Sequence, residues 1–126
     1  MIRIAVFASG GGTNLQALLD RFNGAGHRFA RVALVVSDRE GAGALERAAR
    51  AGVPGQVVRA AGREPEELAR ETLEVLQAHD IDMVALAGYL RLVPAPVVQH
   101  YRNRMLNIHP ALLPAFGGKG MYGRRV

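Results

Sequence analysis

Arg3-Ile4-Ala5-Val6-Phe7-Ala8-Ser9-Gly10-Gly11-Gly12-Thr13-Asn14-Leu15-Gln16 passes from a run of apolar residues into three consecutive glycines and then into a polar pair. The first part reads as a short buried strand. It stops abruptly at Ser9, because glycine alone turns freely there. Thr13 opens a helix in which Leu15, Leu18, Leu19 and Phe22 recur at i, i+3, i+4 and i+7, and which closes near Asn23-Gly24. The unit is therefore strand, glycine-rich loop, helix.

The same alternation continues outward. Residues 32–36 give a second strand, residues 43–51 an alanine-rich helix ended by Gly52, and residues 56–58 a short third strand. Pro65 starts the next helix. Glu64, Glu66 and Glu67 are expected in its first turn, where acid complements the helix dipole, and Leu68, Thr72, Leu73 and Leu76 carry its inward face toward His79. Residues 83–87, Met-Val-Ala-Leu-Ala, form a continuous apolar strand of the kind buried on both faces of a parallel sheet. Residues 94–101 supply one more helix and residues 105–109 the last strand. Such alternation predicts an α/β fold, a doubly wound and mostly parallel sheet with helices on both faces, as a single domain over residues 1–126.

Composition narrows the function classes. A chain of 126 residues that is 49% hydrophobic can bury a modest core. It has no cysteine, which excludes disulfides and thiolate chemistry and makes a reducing, cytoplasmic setting the expectation. Its apolar runs are strand-sized and no signal-peptide pattern opens it, so no membrane role is expected. A net charge of +5 favours anionic ligands. The arginines are scattered from Arg3 to Arg125 without interleaved aromatics, which fits a phosphorylated metabolite and argues against nucleic acid.

Three stretches carry chemistry. Ser9 to Asn14 places a row of backbone N–H groups and the first turn of a helix at the carboxyl end of strand one, where open α/β sheets bind phosphate. The stretch is neither a P-loop nor a full dinucleotide fingerprint, since Leu15 stands where the third glycine would fall, so a monophosphate fits best. A tight turn is its plainer reading. Gly88-Tyr89-Leu90-Arg91-Leu92-Val93 follows the most buried strand and lies on the same sheet edge; from the residues alone, Leu90 and Leu92 read as core contacts of an ordinary strand-to-helix connection. In Asn107-Ile108-His109-Pro110-Ala111-Leu112-Leu113-Pro114, Asn107 and His109 are two apart at a strand end and would project to one side. An amide can donate to an oxyanion and a histidine can move protons near neutral pH, which suits acyl or formyl transfer. His27, His79 and His100 read as solvated surface groups. No metal site is expected, because no second histidine stands at ligand spacing.

The segments Ser9-Gly10-Gly11-Gly12-Thr13-Asn14-Leu15-Gln16, Ala87-Gly88-Tyr89-Leu90-Arg91 and 107–114, in this order and spacing, resemble the phosphoribosylglycinamide formyltransferases over essentially the whole chain. Related folate-dependent formyltransferases share the Asn-x-His…Leu-Pro part but begin differently. The resemblance implies a Rossmann-like formyltransferase fold and transfer of a formyl group from 10-formyltetrahydrofolate to the amine of phosphoribosylglycinamide in purine synthesis, without a metal. It further implies that Gly12, Thr13 and Asn14 hold the substrate phosphate. Leu90, Arg91, Leu92 and Val93 would meet the folate pterin, with Asn107 also at the folate and Arg63 a candidate for the folate tail. Asn107 and His109 would be catalytic.

The family pattern also includes an aspartate well past the histidine, in a loop that closes over the folate, and this chain ends before it. The expectation is thus an N-terminal, phosphate-binding part, truncated at its C-terminal end, that binds the phosphorylated substrate better than it catalyses. Two alternatives stand beside it. One is a non-catalytic phosphate-binding α/β module, separated by turnover; the other is a different folate-dependent formyltransferase or hydrolase, separated by dependence on glycinamide ribonucleotide. An exposed sheet edge at the last strand could also pair two copies into a homodimer.

Overall fold

The computed structural model describes residues 1–24 and 28–108. His27, His109 and the segment from Pro110 to Val126 lie outside the described residues. The chain runs β1 (Ile2–Phe7), α1 (Thr13–Phe22), β2 (Ala30–Ser37), α2 (Gly43–Arg50), β3 (Gly55–Val57), α3 (Pro65–Ala78), β4 (Met83–Ala87), α4 (Ala95–His100), β5 (Met105–Ile108). Every element expected from the sequence is present. Boundaries differ by one to a few residues: β1 starts at Ile2, β2 already at Ala30, and β3 covers Gly55–Val57 instead of residues 56–58.

The five strands form one sheet in the order β3-β2-β1-β4-β5, and every pair is parallel. Parallel neighbours demand crossover connections, which the four helices supply. Alternation along β1 divides the core. Ile4, Val6 and Ala8 face Leu15 and Leu19 of α1 and Ala44 and Ala48 of α2, whereas Ala5 and Phe7 face Leu68, Ala69 and Leu76 of α3 and Val97 of α4. The fold is therefore doubly wound, with two helices on each face. Ala44 and Ala48 let α2 approach the sheet closely, and both are fully buried.

The register contains one irregularity that the sequence does not announce. Ile4 pairs with Val32 but Ala5 with Leu34, so Ala33 is an extra residue in β2. That bulge puts Val32 in one core layer and Leu34 in the other, although strict alternation would have set them on the same face. Asn23, at the end of α1, closes the start of β2: its side chain accepts from the Val32 N–H at 2.8 Å and donates to the Val32 carbonyl at 2.9 Å.

Pro65 begins α3, and Pro96 lies in the first turn of α4, where a missing N–H costs nothing. Glu64 stands at the N-cap of α3 and makes no side-chain cap, so Glu66 and Glu67 alone provide acid in the first turn. Tyr101, 1% exposed, follows α4 and donates its hydroxyl to the Ile81 carbonyl at 3.1 Å, fixing the approach to β4.

Candidate functional site

In the order 3-2-1-4-5 the chain winds away from β1 in both directions, so the loops after β1 and β4 part and leave a crevice at the carboxyl edge. Both loops were singled out in the sequence. The glycine-rich loop is held against α2 on one side and the β4 loop on the other. Ala44 N–H donates to the Gly10 carbonyl at 3.1 Å, Arg47 Nε to the Gly11 carbonyl at 2.7 Å, and Arg47 Nη1 to Gln16 Oε1 at 3.2 Å. The approach is so close that a Cβ on Gly12 would lie 2.8 Å from Ala44 Cα, and one on Gly43 would lie 3.0 Å from the Gly11 backbone. Gly12 also has φ +84°, in the left-handed region.

Gly12 is the N-cap of α1, and among the described residues no side chain caps the helix. The first intrahelical bond runs from Gln16 N–H to the Gly12 carbonyl at 2.8 Å. The N–H groups of Thr13 and Asn14 therefore lack intrahelical partners by geometry, and they lie at the positive end of the helix dipole. Thr13 is exposed and Asn14 half-buried. This arrangement can accept an anion.

Beyond β4, Gly88 turns with φ +75° and its carbonyl accepts from Ser9 N–H at 3.3 Å. Tyr89 packs edge-on against Phe7, with ring centroids 5.3 Å apart and an interplanar angle of 83°. Burial, with a smaller contribution from the nearby Asp38 charge, pushes the Tyr89 hydroxyl up to about 12. Leu90 and Leu92 are not core residues. They are 70% and 93% exposed, which overturns the reading of this segment as a plain core connection; Val93 alone of the three packs against the core. An apolar ledge thus stands free beside the glycine-rich loop.

Under that ledge lies Asp38, which follows β2 and which the sequence did not bring forward. Its side chain is 2% exposed, and Oδ2 stands 3.3 Å from Arg91 Nε and 3.8 Å from Arg39 Nε. Its other oxygen, Oδ1, has no partner among the described residues. Desolvation raises its pKa, but the neighbouring Ser9 hydroxyl, its own backbone and Arg91 outweigh that and hold it below the ordinary carboxylate value. Ser9 Oγ also accepts from Leu90 N–H at 2.9 Å. The available signal was a polar Ser-Asp pair at the end of an apolar strand, but nothing local points to Arg91, 53 positions away.

Asn107 lies in β5 opposite Leu86 and is exposed toward the carboxyl end of the sheet. His109 is outside the described residues. Arg63, before α3, is engaged rather than free: Nη2 lies 2.7 Å from Glu71, Nε 3.2 Å from Glu67, and Nη1 donates to the Arg59 carbonyl at 3.0 Å. Of two other histidines, His79 differs from the sequence reading, being half-buried at the end of α3 with Nδ1 3.0 Å from the Val75 carbonyl, whereas His100 is exposed as expected and packs edge-on against Tyr101 at 4.9 Å. Among the described residues no three His, Cys, Asp or Glu side chains are grouped to hold a metal ion, and no helix is long and apolar enough to cross a membrane.

A parallel 3-2-1-4-5 sheet with an uncapped helix start and an apolar ledge at its switch point is a Rossmann-like architecture, and residues 2–125 match the formyl transferase family: the chain belongs to it. Within that family its relatives are specific. It is 44% identical over 126 residues to the chloroplastic phosphoribosylglycinamide formyltransferase of Arabidopsis thaliana, covering 98% of this chain and 43% of that protein. It is 36% identical over 125 residues to phosphoribosylglycinamide formyltransferase of Bacillus subtilis (strain 168), covering 98% of this chain and 64% of that one. The crystal structure of glycinamide ribonucleotide transformylase 1 from Symbiobacterium toebii superposes with a TM-score of 0.81 at 50% identity, over 92% of this chain and 55% of that chain. The chain thus spans less than two thirds of each of these proteins.

Proposed function

We propose that the protein transfers a formyl group from 10-formyltetrahydrofolate to the primary amine of phosphoribosylglycinamide, a step of purine synthesis, in the cytoplasm. The observation that carries this reading is the meeting, at one switch point, of an uncapped α1 start with the solvent-exposed Leu90 and Leu92. A phosphate and a flat apolar ring are the two ligand parts that these features suit.

In this reading the N–H groups of Gly12, Thr13 and Asn14 bind the phosphate and fix the amine end of the substrate toward β5. Leu90, Arg91, Leu92 and Val93 receive the pterin. The amine nitrogen's lone pair forms a bond to the formyl carbon, and the C=O π pair passes to the formyl oxygen. Asn107 donates its amide N–H to that oxyanion and protonated His109 supports it. Collapse of the tetrahedral adduct breaks the bond to the folate nitrogen, which takes its proton through His109, while the former amine loses one. Arg63 is a weaker candidate for the folate tail, because Glu67 and Glu71 already engage it.

The test is formyl transfer by the full-length protein, followed as loss of the formylated donor, with and without glycinamide ribonucleotide. Turnover that requires the ribonucleotide is expected. Donor loss without it would make the protein a hydrolase, and phosphate binding without turnover would make it a binding module.

A further inference from the structure

Leu90 and Leu92 raise a physical question, because side chains 70% and 93% exposed gain almost nothing from burial and cannot fix their own loop. The segment is held from beneath instead. Leu90 N–H donates to Ser9 Oγ at 2.9 Å, and the Ser9 hydroxyl beside Asp38 helps to hold its carboxyl below the ordinary value. Arg91 Nε reaches Asp38 Oδ2 from the other side at 3.3 Å. Leu90, Ser9, Asp38 and Arg91 therefore form one polar cluster, with two hydrogen bonds, at the ends of β1, β2 and β4. At its centre is a carboxylate only 2% exposed, so its bond to Arg91 is not one more surface ion pair. Ser9 is itself 1% exposed and immediately precedes Gly10, so the cluster touches both loops of the crevice.

We propose that Asp38 is a positioning residue: through Ser9 and Arg91 it holds the Leu90 to Val93 ledge in the conformation that receives the ring of the formyl donor. This rests on the formyl-transfer reading above. Removing the carboxylate charge frees Arg91 and takes away the charge beside the Ser9 hydroxyl, so the ledge loosens at Leu90 and Arg91 while the Gly12 to Asn14 turn keeps its anchors from α2, Ala44 and Arg47. The expected signature is selective, falling on the folate and sparing the phosphate.

The experiment compares full-length wild type with Asp38→Asn, Arg91→Gln and the double variant, titrating 5-formyltetrahydrofolate as the folate probe and ribose 5-phosphate as the phosphate probe. Each single variant is expected to lose about tenfold in folate affinity, the size of one charge-assisted hydrogen bond, with phosphate affinity within about twofold of wild type. The double variant should be no weaker than the weaker single, since both remove the same Asp38–Arg91 bond. In turnover the loss should appear in KM for the donor and leave kcat in place. Equal losses for both probes, additive losses, or an unchanged folate affinity would each overturn the proposal while leaving the functional reading intact. A wild type that binds no folate would overturn both. Should Asp38→Asn fail to fold, Arg91→Gln and Ser9→Ala carry the same comparison, Arg91 being half exposed.

Discussion

An alanine at position 12 would meet two distinct obstacles. Gly12 has φ +84°, where an L residue carries strain of about 1–2 kcal/mol, and its new methyl group would sit 2.8 Å from Ala44 Cα, a backbone atom of a helix pinned to the sheet. Overpacking of that kind costs about 1–3 kcal/mol, so the total is about 2–5 kcal/mol. The neighbouring glycines separate the two contributions. Gly62 has φ +73° but nothing within 4 Å of an added Cβ, so Gly62→Ala carries the strain alone; Gly10 has open space and no positive φ, so Gly10→Ala should be close to neutral. In urea melts the predicted order of destabilisation is Gly12 far above Gly62, and Gly62 above Gly10, with Gly12→Ala lowering the melting temperature by roughly 10 °C. Equal losses for Gly12→Ala and Gly62→Ala would refute the reasoning, because they would show that α2 yields to the methyl group without cost.

Two further outcomes follow from single side chains. Asn23→Ala removes both bonds to Val32, leaving a buried N–H and carbonyl unpaired, and should destabilise the fold by about 2–3 kcal/mol in denaturant titration; Asn23→Asp, which keeps an acceptor but loses the donor, should fall between. Tyr89 is raised to about 12 in the fold from 10.0, so between those values the folded chain keeps a proton that the unfolded chain releases; stability must fall as pH rises through that window, and Tyr89→Phe should flatten the alkaline limb, which an unchanged slope would contradict.

The sheet could be read from the sequence because each strand is a compact apolar run and each helix an apolar stripe, signals that need only neighbours along the chain. What escaped depends on partners far away. The bulge at Ala33 arises from pairing with β1, and Val32-Ala33-Leu34-Val35-Val36 is apolar throughout, so no alternation marks the extra residue. Leu90 and Leu92 looked like core because leucine usually is; their exposure follows from the Gly88 turn and from the anchoring of Leu90 N–H, which no local pattern encodes. Asp38 resembles an ordinary turn residue until Arg91 is brought over it. Strand periodicity led to the expectation that Asn107 and His109 share a face; Asn107 lies in β5, and His109 lies outside the described residues.

The central position of β1 has a consequence for how the chain is made. Of the five strands described it is made first, yet one of its two partners, β4, lies beyond some 75 intervening residues. At usual synthesis rates that is a wait of roughly 4–15 s, during which Ile4 and Val6 can be covered by α1 while Phe7, on the face that α3 and α4 cover, and the other edge of β1 stay open. A strand so apolar with an open edge is a template for pairing with other chains. Expression should therefore respond to translation speed and chaperone supply more than the stability of the finished sheet suggests, and slowing elongation between α2 and β4 should raise the aggregated fraction without altering the protein that escapes.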